Sequence, residues 1–298
     1  MGINYKTLDQ IEKIACVSDT KIHKHKYINR HKRAHPERAS EGRKCSGRTG
    51  RRVQELHNSH FILYLQPLYS TTRRWVYGAE ALVRKLDSNG RLQGPDEFIR
   101  MMEEERMISE VDYAIFRQAC ELLREWEHVW PDFRINCNMS RVTLTEEDYL
   151  KRIDEVLKET GVDPGRLTFE ITESSGNIQM EALTRILDAV QERGIAIAID
   201  DLGTEASCLE MLYLPQIKVA KLDRSLISKA ENSKREQIVI SSIVEMCHKL
   251  DMLCVAEGIE SAPQMDLLEQ MGCDRLQGYY IGRPMSPEEF LGRFGSKM

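Results

Sequence analysis

An eight-stranded α/β barrel of the TIM type is the fold class this sequence predicts, and three observations predict it. From Phe61 onward, strand-like and helical stretches alternate over about 230 residues, as a (β/α)8 barrel requires. Several of the strands are short apolar runs without turn formers, the pattern of strands buried on both faces. Polar or acidic residues recur at the C-terminal ends of those strands, the end where such barrels keep their chemistry. The stretch Gly194–Asp201, G-I-A-I-A-I-D-D, shows the last two features together. A lone Asp there would read as a helix cap; two after a fully apolar strand ask for more.

In chain order, residues 1–52 form a section of their own. They hold 14 Lys+Arg against 5 Asp+Glu, while the remaining 246 residues carry 28 against 42. Leu8 to Arg33 reads as one basic helix and Pro36 to Gly50 as its linker. Aromatic residues are almost absent from the basic run, which favours a solvated helix over specific nucleic acid binding. The barrel domain is expected over residues 53–298. Strands are predicted at Phe61–Tyr69, Val76–Arg84, Arg134–Met139, Leu167–Thr172, Ile195–Asp200, Ile217–Leu222, Leu253–Glu257 and Arg275–Ile281. The polar turn Ser70–Arg74 is too short for a crossover, so the first strand must run antiparallel to the second. Helices are predicted at Pro95–Met107, Glu110–Glu127, Glu146–Thr160, Asn177–Arg193, Glu205–Tyr213, Lys234–Leu250, Pro263–Met271 and Pro287–Phe294. No apolar run is long enough to span a bilayer, and the eight cysteines show no metal-binding spacing. Cys137, Cys247 and Cys254 lie in apolar stretches, as reduced core thiols do, and a cytoplasmic location is expected.

The strand ends present Glu80 and Arg84, Asn138, Glu170 with Glu173, Asp200 and Asp201, Lys221 with Asp223, Glu257 with Glu260, and Gln277. Each alone has an ordinary reading: an exposed strand residue for Glu80, an ion pair at the barrel base for Lys221, a turn for Gln277. In a closed barrel they converge on one mouth. Five carboxylates at close range raise one another's pKa unless cations offset them. Carboxylate and amide oxygens suit Mg2+, Mn2+ or Ca2+ rather than zinc. More carboxylates than one ion needs points to two ions, a pair that typically serves in-line displacement at phosphate.

The motifs G-A-E-A-L-V-R, N-M-S, F-E-I-T-E-S, D-D-L-G-T, K-L-D-R-S, V-A-E-G-I-E and L-Q-G-Y-Y-I-G-R-P stand in this order between Phe61 and Phe294. Together they resemble the EAL-domain family, modified TIM barrels that hydrolyse the bacterial second messenger cyclic di-GMP to linear pGpG with two Mg2+ or Mn2+ ions. The resemblance implies that Glu80, Asn138, Glu170 and Asp200 hold one metal, and Asp200, Asp201 and Glu257 the other. It implies that Lys221 orients or polarises the attacking water, with Glu257 and Gln277 also acting at the catalytic centre. Arg84 would pair with a phosphate, Gln66 and Pro284 would touch substrate, and Glu173 would brace the loop after the fifth strand. Ca2+ is expected to bind without supporting turnover, and the barrel domain to offer a homodimer contact. The N-terminal helix has a short resemblance to the end of a GGDEF domain, without that domain's signature and hence without implied cyclase activity.

One motif departs from the family pattern. Where that pattern reads D-D-F-G-T-G-Y-S-S, this chain has D-D-L-G-T-E-A-S-C, so Leu202, Glu205 and Ala206 replace Phe, Gly and Tyr. A glycine reaches backbone angles that are costly for Glu, and the lost aromatics are packing handles. Three functions stay open on the sequence: a phosphodiesterase, slowed by the altered loop; a receptor that holds cyclic di-GMP without hydrolysing it; and an interaction protein that binds neither.

Overall fold

A computed structural model describes residues 60–87, 89–172, 179–203 and 208–295. The expected basic helix and linker of residues 1–52, Glu173, Glu205 and Ala206 lie outside the described residues.

The barrel opens with a hairpin, β1 (His60–Ser70) and β2 (Trp75–Leu86). A two-residue strand β3 (Leu92–Gln93) then adds to the outer edge of β2. Six further strands complete the wall: β4 (Arg134–Asn138), β5 (Leu167–Thr172), β6 (Ala196–Leu202), β7 (Ile217–Leu222), β8 (Leu253–Ala256) and β9 (Arg275–Gln277). From β2 through β4 to β9 each barrel strand runs parallel to the next. β1 closes the ring antiparallel to both β2 and β9. The result is a modified TIM barrel, and the short turn after Ser70 is the cause of its one reversed strand.

The helices wrap the outside. They are α1 (Ile99–Glu104), α2 (Ile108–Glu125), α3 (Arg141–Leu144), α4 (Tyr149–Thr160), α5 (Met180–Glu192), α6 (Cys208–Met211), α7 (Arg224–Ile227), α8 (Lys234–Lys249), α9 (Ala262–Gln270) and α10 (Pro287–Phe294). Alternation along each strand divides the core in two. Ile135, Phe169, Ile171, Ile197, Ile199 and Leu222 belong to the large apolar cluster shared with the helices. Ala198, Val219 and Val255, one residue out of phase with them, form a small separate cluster. That second cluster is the barrel's inner plug, and the next inward position on each of those strands carries Asp200, Lys221 and Glu257. Cys120, Cys137, Cys247, Cys254 and Cys273 are all buried free thiols.

Three elements differ from the sequence expectation. The helix expected over Pro95–Met107 is a 3-10 turn, Pro95–Glu97, followed by the short α1. The eighth strand stops at Gln277 instead of Ile281, because the chain there bends to bond the loop after β8, with the Tyr280 N–H donating to Ile259 O at 2.9 Å. The helix expected over Glu205–Tyr213 is confined, among the described residues, to α6. Short α3 and α7 were not expected; Ser140 and Asp223 cap them by accepting from Thr143 N and Ser225 N.

Candidate active site

The strand ends converge on Lys221. Its side chain, 1% exposed, reaches up from β7 to Glu257 Oε1 at 2.7 Å, Glu170 Oε2 at 2.8 Å, Asp200 Oδ1 at 3.1 Å and Glu80 Oε2 at 3.7 Å. Amides from β4 and β9 fix the carboxylates from the other side. Asn138 Nδ2 donates to Glu80 Oε1 at 2.9 Å, and Gln277 Nε2 to Glu80 Oε2 at 2.6 Å. Asp201, at the end of β6, joins from the rim: one oxygen each from Asp200, Asp201 and Glu257 lie within 4.8 Å of one another. The structure thus brings together Glu80, Asn138, Glu170, Asp200, Asp201, Lys221, Glu257 and Gln277.

Asn136 was not among the expected residues. It is buried on β4, and its Nδ2 donates to Glu170 Oε1 at 2.7 Å, so Asn136 and Lys221 hold one Glu170 oxygen each. The signal was present in R-I-N-C-N-M, since residues two apart on a strand share a face; Asn136 and Asn138 point the same way.

Burial and charge compete at each group. Burial opposes the charge on Lys221, but Asp200, Glu170, Glu257 and Glu80 outweigh it and hold the pKa well above its usual value. Burial also works against ionising Glu80; Lys221 together with the hydrogen bonds from Gln277 and Asn138 wins, and the pKa falls below 4.5. For Glu170 burial prevails, reinforced by Glu80 and Asp200, and its pKa lies well above the ordinary value. Burial pushes Glu257 up to about 8 against the pull of Lys221. One ammonium among five carboxylates leaves an excess of negative charge, and the buried Gln277 Oε1 has no hydrogen-bond partner among the described residues. This oxygen-rich donor set suits hard divalent cations.

The expected substrate-contact residues are placed by β1 and β2. Gln66 on β1 pairs in register with Glu80 and so shares its inward face. The Leu65–Met285 pair, with N···O distances of 2.8 and 3.0 Å, brings Pro284 alongside β1. Arg84 is half-buried, lies 5.4 Å from the Tyr64 ring centre, and donates to Val83 O at 2.8 Å.

Fold and site define a class: a TIM-like barrel with one reversed strand and an acidic mouth fit for divalent cations. The EAL domain model matches residues 51–284, and the chain belongs to that family. It is 33% identical over 237 residues to the signaling protein YkoW of Bacillus subtilis, covering 80% of this chain and 30% of that protein. It is 32% identical over 247 residues to the cyclic di-GMP phosphodiesterase NbdA of Pseudomonas aeruginosa, covering 80% of this chain and 31% of that one. Among solved structures it resembles the PaMucR phosphodiesterase in complex with c-di-GMP, with a TM-score of 0.74 and 28% identity over 82% of this chain and 99% of that chain. The EAL enzyme Bd1971 in its cAMP- and cyclic-di-GMP-bound form gives a TM-score of 0.76 and 28% identity, over 82% of this chain and 67% of that chain. The chain spans about a third of the length of the curated relatives it matches. Among the described residues no helix is long and apolar enough to cross a membrane.

Proposed function

We propose that this chain hydrolyses cyclic di-GMP to linear pGpG. The observation that carries the reading is the convergence of Glu80, Glu170, Asp200 and Glu257 on one buried lysine, with Asp201 beside them. Glu80, Asn138, Glu170 and Asp200 would hold one Mg2+ or Mn2+, and Asp200, Asp201 and Glu257 the other. Bound there, such ions lower the pKa of a water and offset phosphate charge. Within this frame Lys221 orients the attacking water and stabilises charge that builds on the phosphate. Gln277, held through its amide by Glu80, presents Oε1 to a water. In this reading Arg84 would pair with a phosphate, and Gln66 and Pro284 would touch the substrate. Glu173, outside the described residues, would have the role of bracing the loop after β6.

We assign residues 53–298 to this barrel domain and residues 1–52 to a separate basic segment. A soluble nucleotide substrate fits a cytoplasmic location, and a barrel–barrel homodimer is part of the proposal. The altered loop favours a second reading, a receptor that binds cyclic di-GMP without turnover. One assay separates the two: purified protein, cyclic di-GMP and Mn2+, with chromatography for pGpG. The enzyme reading expects pGpG from the wild type and none from Glu80→Ala or Asp200→Asn, both still folded. Binding without product supports the receptor, and wild-type turnover in either variant overturns the two-metal assignment.

A further inference from the structure

The turns that carry Asp201 and Glu257 share a neighbour that the proposed chemistry does not use. Helix α7 follows β7 directly, and the segment before it is stitched to both flanking strand ends. The Asp223 N–H donates to Leu202 O at 3.4 Å, and the Glu257 N–H donates to Leu222 O at 3.1 Å. On the β6 side, Leu226 lies against Gly203, where a Cβ would come within 2.5 Å of Leu226 Cδ1. On the β8 side, the stem of Arg224 lies across Gly258, where a Cβ would come within 2.3 Å of Arg224 Cγ. The Arg224 guanidinium then pairs with Glu260 at 2.8 Å.

The backbone explains why outside support matters. Asp201, Gly203 and Gly258 have φ of 59°, 105° and 71°, so both turns pass through the left-handed region. Asp201, as a non-glycine residue, keeps that conformation only when its surroundings determine it, and the glycines, free to take either hand, are fixed only by what packs on them. Side chains pressed onto glycines, which offer no Cβ in the way, supply that packing here at both turns.

We propose that α7 is a positioning element for the Asp200, Asp201 and Glu257 group. Leu226 and the aliphatic stem of Arg224 hold the two glycine turns, and thereby set the separation of the Asp201 and Glu257 carboxylates. This rests on reading that trio as a metal site. The Arg224–Glu260 ion pair, with side chains 59% and 48% exposed, is a minor part of the device, because exposed pairs contribute little. The packed stem carries the effect.

The test is calorimetric titration of the full chain with Mn2+ in a Glu80→Ala background, which keeps Asp200, Asp201 and Glu257. Leu226→Ala and Arg224→Ala are each expected to weaken Mn2+ binding about tenfold, the scale on which residues that orient metal ligands act. Arg224→Met keeps the stem, drops the charge, and is expected to match the background. A loss of packing alone would lower the melting temperature without moving Mn2+ affinity, so unchanged affinity in both alanine variants overturns the inference. Arg224→Met as weak as Arg224→Ala overturns the stem as the cause. If the Glu80→Ala chain itself binds no Mn2+, the metal reading fails and takes the inference with it.

Discussion

At the scale of single residues, Lys221 stands at the centre of the site. Its ammonium lies within 3.7 Å of four carboxyl groups in a space floored by Ala198, Val219 and Val255. Removing one partner of a buried charge group costs on the order of 3–5 kcal/mol, because the rest are left uncompensated. Lys221→Ala is therefore expected to lower metal-free stability on that scale, seen in urea titration. It should also cut kcat about a hundredfold or more while leaving Mn2+ affinity unimpaired; a variant with normal kcat and poor Mn2+ binding would reverse the role assigned to the lysine. Glu257 supplies a pH dependence. Its folded-state pKa of about 8 lies above the ordinary 4.5, so its contribution to metal-free stability is present in full below about 4.5 and is lost as pH rises through about 8. A metal needs the carboxylate, so Mn2+ must displace that proton. Affinity should rise with pH up to about 8 and level off above it, with proton release measurable by calorimetry in buffers of different ionisation enthalpy. An affinity that does not change with pH would show that Glu257 is ionised before the metal arrives.

At the scale of elements, the end of β6 is where this chain parts from the family pattern. Leu202 is the last residue of β6 and is 2% exposed, so it is a core residue and not part of the mouth. The position that differs from the family's Phe is thus filled and packed. Leu202→Phe would add volume to a closed site, at a cost of about 1–3 kcal/mol in urea titration. Glu205 and Ala206 bear on the chemistry. Both lie outside the described residues; in the sequence Glu205 adds a negative charge to this loop where the family pattern has a glycine, and Ala206 removes an aromatic side chain. Glu205→Gly with Ala206→Tyr should raise kcat at limiting Mn2+. An unchanged rate across a Mn2+ series would mean that the surrounding structure already compensates for both substitutions.

At the scale of the whole molecule, the surplus of carboxylates couples cation binding to stability. A ligand that binds only the folded state adds about 2.7 kcal/mol at a hundredfold excess over Kd. Both Mn2+ and Ca2+ should therefore raise the melting temperature, Mn2+ with turnover and Ca2+ without it. Glu80→Ala should blunt the response to both ions. An equal rise in that variant would mean that Glu80 holds no ion.

Much of this architecture was legible in the chain before folding was considered. Strand polarity around the ring followed from turn length alone: the short link after Ser70 forces β1 to reverse, and longer links carry helices. The site residues were legible because period-two alternation and apolar runs that end abruptly mark which side chains emerge at the mouth, as at Asp200 after Ile199; Asp201 joins it through the left-handed turn that only the structure shows. Other features required the closed barrel. Asn136 became a partner of Glu170 only when β4 and β5 were aligned in register, a relation between residues 34 apart. The sharing of Lys221 among Glu80, Glu170, Asp200 and Glu257 also depends on closure, because those side chains come from four different strands. The same holds for α7, whose Leu226 and Arg224 meet glycines on two other strand ends. Local sequence sets which way a side chain points along its own strand, whereas distances between strands are set by register and ring closure.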